Sequence, residues 1–200
     1  MSCSAEILGA YHTGEDEKMK TIKVYVAGKV SPDSTMGTSF WRDEFCKKLG
    51  EKSGAKILNL DPTTRKVLPF DPKMVFGRDS LMIKKSDLVI VNLTDDISVG
   101  GSQEMLIAKY FNKPLLGIAK EGGKFLNKNF VDFGRVVDFV HPFVFGTCDA
   151  IVHNEDEAAE WIKNNFGKEQ PKGMSCIDDS IEYYMKNYFD VDEFAKETFG

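Results

Sequence analysis

Residues 86–118, SDLVIVNLTDDISVGGSQEMLIAKYFNKPLLGI, hold the pattern that decides the fold. Leu88 to Leu93 is apolar at nearly consecutive positions, as a strand is when both faces of its sheet are covered. The loop TDDISVGGS follows, rich in turn residues, and then the helix-forming run QEMLIAKYF. A second apolar run, KPLLGIA, closes the segment. Strand, loop, helix and strand in this order make a βαβ unit, whose two strands must be parallel.

The same alternation extends in both directions. Upstream, TIKVYVAGK (21–29) has the β-branched density of a buried strand and ends at Gly28. Phe40 to Leu49 has helical spacing, with Gly50 as a stop. AKILNLDP (55–62) is a second strand closed by Pro62, and 74–85 reads as a helix. Downstream, CDAIVH (148–153) is the fifth strand and EDEAAEWIKNNFG (155–167) a helix. VVDFVHPFVF (136–145) reads either as a strand or as a helix broken by Pro142. The expected fold is α/β: a doubly wound, five-stranded parallel sheet of flavodoxin-like order 2-1-3-4-5, with helices on both faces.

This pattern divides the chain into an extension (1–20), an α/β domain (21–167) and a C-terminal helical tail (168–200). In the tail, Ile181, Tyr184, Met185, Tyr188 and Phe189 make an apolar face at helical spacing, expected to pack on the sheet or on a partner.

Composition narrows the function. A net charge of −5 over 200 residues gives no basic face for gripping a nucleic acid polymer. No apolar run reaches the roughly 20 residues of a membrane span. The first twenty residues lack the basic and apolar regions of a signal peptide. Cys3, Cys46, Cys148 and Cys176 form no CxxC pair and have no His at metal-ligand spacing, so they read as reduced thiols. A cytoplasmic protein that holds no metal and needs no cofactor is expected.

In doubly wound sheets a ligand sits outside the carboxyl ends of the strands, where the winding reverses. That brings together VAGKVS and VNLTDDISVGGSQE. Gly28, Gly100 and Gly101 serve turn geometry or let backbone approach a ligand. Neither GxGxxG nor GxxxxGK[ST] is present, which counts against a dinucleotide or a P-loop triphosphate. Glu104 reads plainly as an acid in the first helical turn, with Ser102 as cap. Its sharper reading is a carboxylate at the mouth of the crevice, kept ionised by the helix dipole as a nucleophile requires. Asp79 is either a solvated helix acid beside Arg78 and Lys84 or a second carboxylate aimed at a leaving group. Tyr25 is either a half-buried packing residue or a hydroxyl that orients Glu104. Asp95 and Asp96 are turn residues or ligands for sugar hydroxyls. Cleaving a glycosidic bond needs such a set: a nucleophile at the anomeric carbon and a proton donor for the departing group.

Taken together, VYVAG, the acid-bearing helix, SDLVIVNL and GGSQEMLIAKYFNKPLLGI resemble the nucleoside 2-deoxyribosyltransferase-like superfamily, which includes deoxyribosyltransferases and nucleotide N-glycosidases. The resemblance covers Ile22 to Ile118 and rests on Tyr25, Ala27, Gly28, Asp79, Glu104, Ala108, Lys113 and Pro114. It implies that Glu104 forms a covalent glycosyl-enzyme, that Asp79 assists at the base and that Tyr25 orients Glu104. It further implies that Asn127 serves a neighbouring subunit's site in a homodimer or larger homo-oligomer. The chain departs from the family pattern in three places. Met-Leu-Ile-Ala follows Glu104, Lys29 and Ser31 stand in the first loop without the usual Pro, and Ser98 stands where many transferases have Asp.

In the nucleotide N-glycosidases of that superfamily a Ser near this point contacts the 5′-phosphate, so with Ser98, Ser102 and Lys29 nearby the resemblance adds a nucleoside 5′-monophosphate to nucleosides as an expected substrate. The expected function is therefore cleavage or transfer of the N-glycosidic bond of a (deoxy)nucleoside or its 5′-monophosphate. The alternatives are a nucleotide-binding sensor without turnover and a flavin-binding flavodoxin-like protein.

Overall fold

The computed structural model describes residues 21–28, 41–64, 70–94 and 96–200. In chain order these form β1 (Thr21–Ala27), α1 (Trp41–Ser53), β2 (Lys56–Asn59), α2 (Pro72–Lys85), β3 (Leu88–Asn92), α3 (Val99–Tyr110) and β4 (Leu115–Ile118). There follow β5 (Leu126–Asp132), β6 (Arg135–Val140), α4 (Pro142–Thr147), β7 (Ala150–Val152), α5 (Glu155–Asn165), α6 (Ser175–Asn187), a 3-10 turn (Phe189–Val191) and α7 (Glu193–Phe199). Residues 1–20, Lys29, Ser31 and Asp95 lie outside the described residues.

Five strands form one parallel sheet of order β2-β1-β3-β4-β7. Counting sheet strands alone, this is the 2-1-3-4-5 order that the alternation predicts. Side chains alternate across β1. Ile22, Val24 and Val26 join Trp41, Phe45 and Leu49 of α1 and Ala158, Ala159 and Ile162 of α5 in one core layer. Tyr25 and Ala27 face the other layer, with Ile83 of α2, Met105 and Ala108 of α3, and Val144 of α4. The central strand β3 is buried from Leu88 to Val91, which accounts for its unbroken apolar run.

Local chemistry sets the helix starts. Asp71 caps α2 by accepting from the Met74 amide at 2.6 Å, with Pro72 in the first turn where no amide proton is missed. Asn154 caps α5 through the Glu157 amide, and three acids fill the first turn.

VVDFVHPFVF resolves into neither of the two expected forms alone. Its first half ends β6, which pairs antiparallel with β5 as a separate hairpin, and Pro142 opens α4 rather than breaking a helix. Phe133 (φ 43°) and Gly134 (φ 79°) make the two-residue hairpin turn, both in the left-handed region.

The tail packs at its start, against α4 rather than against the sheet. Cys176 is buried, Tyr184 and Phe189 are half-buried, and Ile181, Met185 and Tyr188 stay exposed. It is tied down by Asp149. One Asp149 oxygen accepts from Lys109 Nζ and from the Leu115 amide at 2.6 Å, and the other from the Lys172 amide at 2.6 Å. Lys172 Nζ in turn donates to the Cys148 carbonyl at 2.7 Å. Lys109 is fully buried, so its ammonium depends on this carboxylate.

Removing Asp149 leaves the fully buried Lys109 ammonium without its carboxylate. Asp149→Ala is expected to lower the unfolding free energy by about 3–5 kcal/mol. Lys109→Met combined with Asp149→Ala should recover part of that loss. Urea denaturation followed by circular dichroism measures both; an unchanged midpoint for Asp149→Ala would contradict the role assigned to the pair.

Candidate active site

β1 and β3 are hydrogen-bonded neighbours, with Ala27 opposite Val91, yet their following helices lie on opposite faces of the sheet. The crevice expected from the winding opens at their carboxyl ends. It encloses about 480 Å³ and is lined, among the described residues, by Gly28, Arg42, Pro62, Thr63, Val75, Asp79, Ser98, Gly100 and Glu104. That volume suits a small molecule.

Tyr25 is completely buried on β1, and its hydroxyl donates to Glu104 Oε1 at 2.8 Å. Desolvation, together with the charges of Glu104 and Asp79, pushes the phenol pKa far up, so Tyr25 stays a neutral donor. Asp79 stands on α2 with about a fifth of its side chain exposed, its Oδ1 3.6 Å from Arg78 Nη1. Arg78 braces the opposite wall by donating to the carbonyls of Pro62 and Thr64, each at 2.8 Å.

Glu104 differs from its expected setting in two respects. The cap of α3 is Ser98, whose Oγ accepts from the Gly101 amide at 3.1 Å. The helix therefore starts earlier than the sequence spacing suggests, and Glu104 falls in its second turn. Ser102 is no cap; its Oγ donates back to the Val99 carbonyl at 2.9 Å. The dipole acts mainly within the first turn, so it gives Glu104 little help. Burial is the largest influence and raises the Glu104 pKa. The Tyr25 hydrogen bond opposes it, Asp79 adds to the rise, and the charge of Arg42 opposes it.

Arg42 is the site residue that the sequence reading missed. It sits at 2% exposure on the inward face of α1, amid Trp41, Phe45, Cys46 and Leu49. Nε donates to the Val26 carbonyl and Nη2 to the Gly28 carbonyl, both at 2.9 Å. An arginine in register with an otherwise apolar helix face was the available signal. Asp61 on the loop after β2 is also buried and was also missed; its oxygens accept from the Thr63 amide and hydroxyl.

The remaining expected residues are placed as follows. Gly28 lies beside Trp41, where a Cβ would meet the indole at 3.1 Å, so a side chain there would press on that ring. Gly100 lines the crevice, while Gly101 is buried against Ile97. Asp96 is exposed, paired with Lys124 Nζ at 2.8 Å, and is not among the crevice-lining residues. Asn127 lies on β5, its side chain accepting from the Asn129 amide, also away from that lining. Among the described residues no group of three or more His, Cys, Asp or Glu is arranged to hold a metal ion. None of their helices is long and apolar enough to cross a membrane.

A carboxyl whose pKa is raised on folding penalises the native state once it ionises. The penalty is absent below the unfolded pKa, grows as pH rises toward the folded pKa and is fully present above it. Glu104→Gln should therefore melt higher than the parent at pH 8 and alike near pH 4. Thermal melts across that range test this; a Gln variant that melts lower at pH 8 would contradict it.

A scan against protein-family models finds no match, and a search of curated proteins finds none either. Solved structures do align. A 2-deoxyribosyltransferase from Bacillus psychrosaccharolyticus is 12% identical with a TM-score of 0.49, covering 76% of this chain and 97% of its own. A 2-deoxyribosyltransferase from Leishmania mexicana is 14% identical with a TM-score of 0.43, covering 84% and 99%. A CMP N-glycosidase from Clostridium botulinum is 16% identical with a TM-score of 0.42, covering 70% and 97%. At these identities and scores the chemistry has to be read from the crevice itself.

Proposed function

We propose that this chain cleaves or transfers the N-glycosidic bond of a (deoxy)nucleoside or nucleoside 5′-monophosphate, with Glu104 as nucleophile. The observation that carries the reading is the 2.8 Å hydrogen bond from the buried Tyr25 hydroxyl to Glu104 Oε1, in a crevice whose lining also includes Asp79. Two carboxylates flanking a small-molecule crevice, one oriented by a neutral donor, suit double displacement at a sugar carbon.

In the first step a Glu104 oxygen bonds to C1′ while the C1′–N bond breaks. The bonding pair leaves with the base, and Asp79 is the group suited to deliver a proton there. In the second step water, or a ring nitrogen of another base, bonds to C1′ as the C1′–O bond to Glu104 breaks; the Glu104 carboxylate is released, and Asp79, left ionised by the first step, takes the proton of the incoming group. Tyr25 holds the carboxylate still through both steps. Ser98 and Gly100, on the crevice wall where α3 begins, and Lys29, next in sequence after Gly28, are the residues offered to a 5′-phosphate. Gly101 shapes that turn, Ser102 joins the residues offered to the 5′-phosphate, Asp96 is offered to a sugar hydroxyl, and Asn127 is offered to the site of a second copy. The working form would then be a homodimer or larger, consistent with exposed Val131, Phe133 and Val136 on the hairpin. Sedimentation showing only monomer at micromolar concentration would remove that part.

Incubation with a panel of nucleosides and 5′-monophosphates, with and without a free acceptor base, tests the activity. Base released without acceptor marks a hydrolase, and exchange only with acceptor marks a transferase. No reaction with any member would overturn the proposal. On an active substrate Glu104→Ala should lower turnover on the order of 10³-fold or more while the protein stays folded. Tyr25→Phe removes a donor that favours the carboxylate, so the acid limb of its pH–rate profile should move to higher pH. Near-normal turnover in Glu104→Ala would return Glu104 to the role of a buried helix acid.

A further inference from the structure

We propose that Arg42 is a positioning residue: it clamps the end of β1 at the crevice and supplies the positive charge beside which Glu104 is held as a carboxylate. This rests on the reading of Glu104 as nucleophile and extends it to a residue outside the reacting pair.

The guanidinium lies at the crevice with two of its nitrogens engaged by the Val26 and Gly28 carbonyls. It also lies over the Trp41 ring, 4.5 Å from the centroid. Among the described residues no carboxylate comes within ion-pair distance of it, and none of them accepts a hydrogen bond from Nη1. A charge this deeply buried needs compensation. Asp61 is the acid whose charge favours it most, although the Asp61 oxygens also accept from Thr63, and Glu104, which lines the same crevice, adds to it. The Tyr25 hydroxyl from β1 donates to Glu104, and Asp79 from α2 and Arg42 from α1 line the same crevice as Glu104. Of these, Arg42 alone carries positive charge. Burial and Asp79 drive Glu104 toward its neutral acid, which cannot attack a carbon; Tyr25 and Arg42 oppose them. A purely structural clamp for two carbonyls would need only neutral donors, so charge and clamping can be separated.

The test reads Glu104 without any substrate. Glutamate is labelled at the carboxyl carbon, and the Glu104 resonance is identified by its loss in Glu104→Gln. Its titration is followed by ¹³C NMR in the parent, in Arg42→Gln and in Arg42→Lys, with amide exchange at Gly28 recorded alongside. In Arg42→Gln, Glu104 is expected to titrate at higher pH than in the parent. Any turnover should then fall several-fold at pH 6 and recover at pH 9. In Arg42→Lys, which keeps the charge and loses the fork, the titration should stay near that of the parent while the Gly28 amide exchanges faster. An unchanged titration in Arg42→Gln overturns the proposal. If that variant does not fold, a titration displaced upward in Arg42→Lys overturns it, and one held in place with faster Gly28 exchange supports it. Failure of the catalytic reading looks different: Glu104→Ala retains turnover whatever Arg42 does to the titration.

Discussion

β1 and β3 run side by side with Tyr25 opposite Val89 and Ala27 opposite Val91, and the helices that follow them lie on opposite faces of the sheet. A crevice at their carboxyl ends is unavoidable in that winding. Everything at the crevice descends from it. Tyr25 reaches Glu104 because both belong to the layer on the α3 side, and Arg42 reaches the strand-end carbonyls from the α1 side. Slipping β1 by one residue would turn Tyr25 into the α1 layer and send Val24 toward Glu104.

The crevice also sets how its charges behave. A carboxylate at a helix start in water would be ionised without help. Here burial makes ionisation costly, so the neighbours decide the outcome: a neutral phenol that donates, a guanidinium, and a second acid pulling the other way. A nucleophile kept from water and steered by fixed dipoles has little rearranging to do when it reacts.

Most of the sheet was legible because buried parallel strands leave unbroken apolar runs, as in Leu88 to Val91. The β5–β6 hairpin was not, because its turn is Phe133–Gly134 rather than an Asn-Gly or Asp-Gly pair, and its strands face solvent on most positions. Tyr25, Asp79 and Glu104 could be found through motif resemblance, and the structure brings them to one crevice. Arg42 left one sign, its register with an apolar helix face, and Asp61 left none, since a buried charge in a loop looks in sequence like a surface one. The start of α3 was misjudged because Ser98 and Ser102 are a helical turn apart and equally good caps by type; only the Ser98 Oγ reaches a first-turn amide.

The placing of β1 has a consequence for synthesis. Among the described residues the earliest strand of the sheet occupies an interior position and is flanked by strands that come later: Thr21 waits for Lys56, and Val24 for Leu88. The lock on Lys109 and Leu115 comes later still, with Asp149. As the chain emerges from the ribosome, the apolar strands β1 and β3 are thus exported well before the residue that closes the far side of the sheet. Non-local closure of this kind is slow and leaves sticky edges open meanwhile. The nascent chain, more than the finished protein, is where chaperones would find their binding segments.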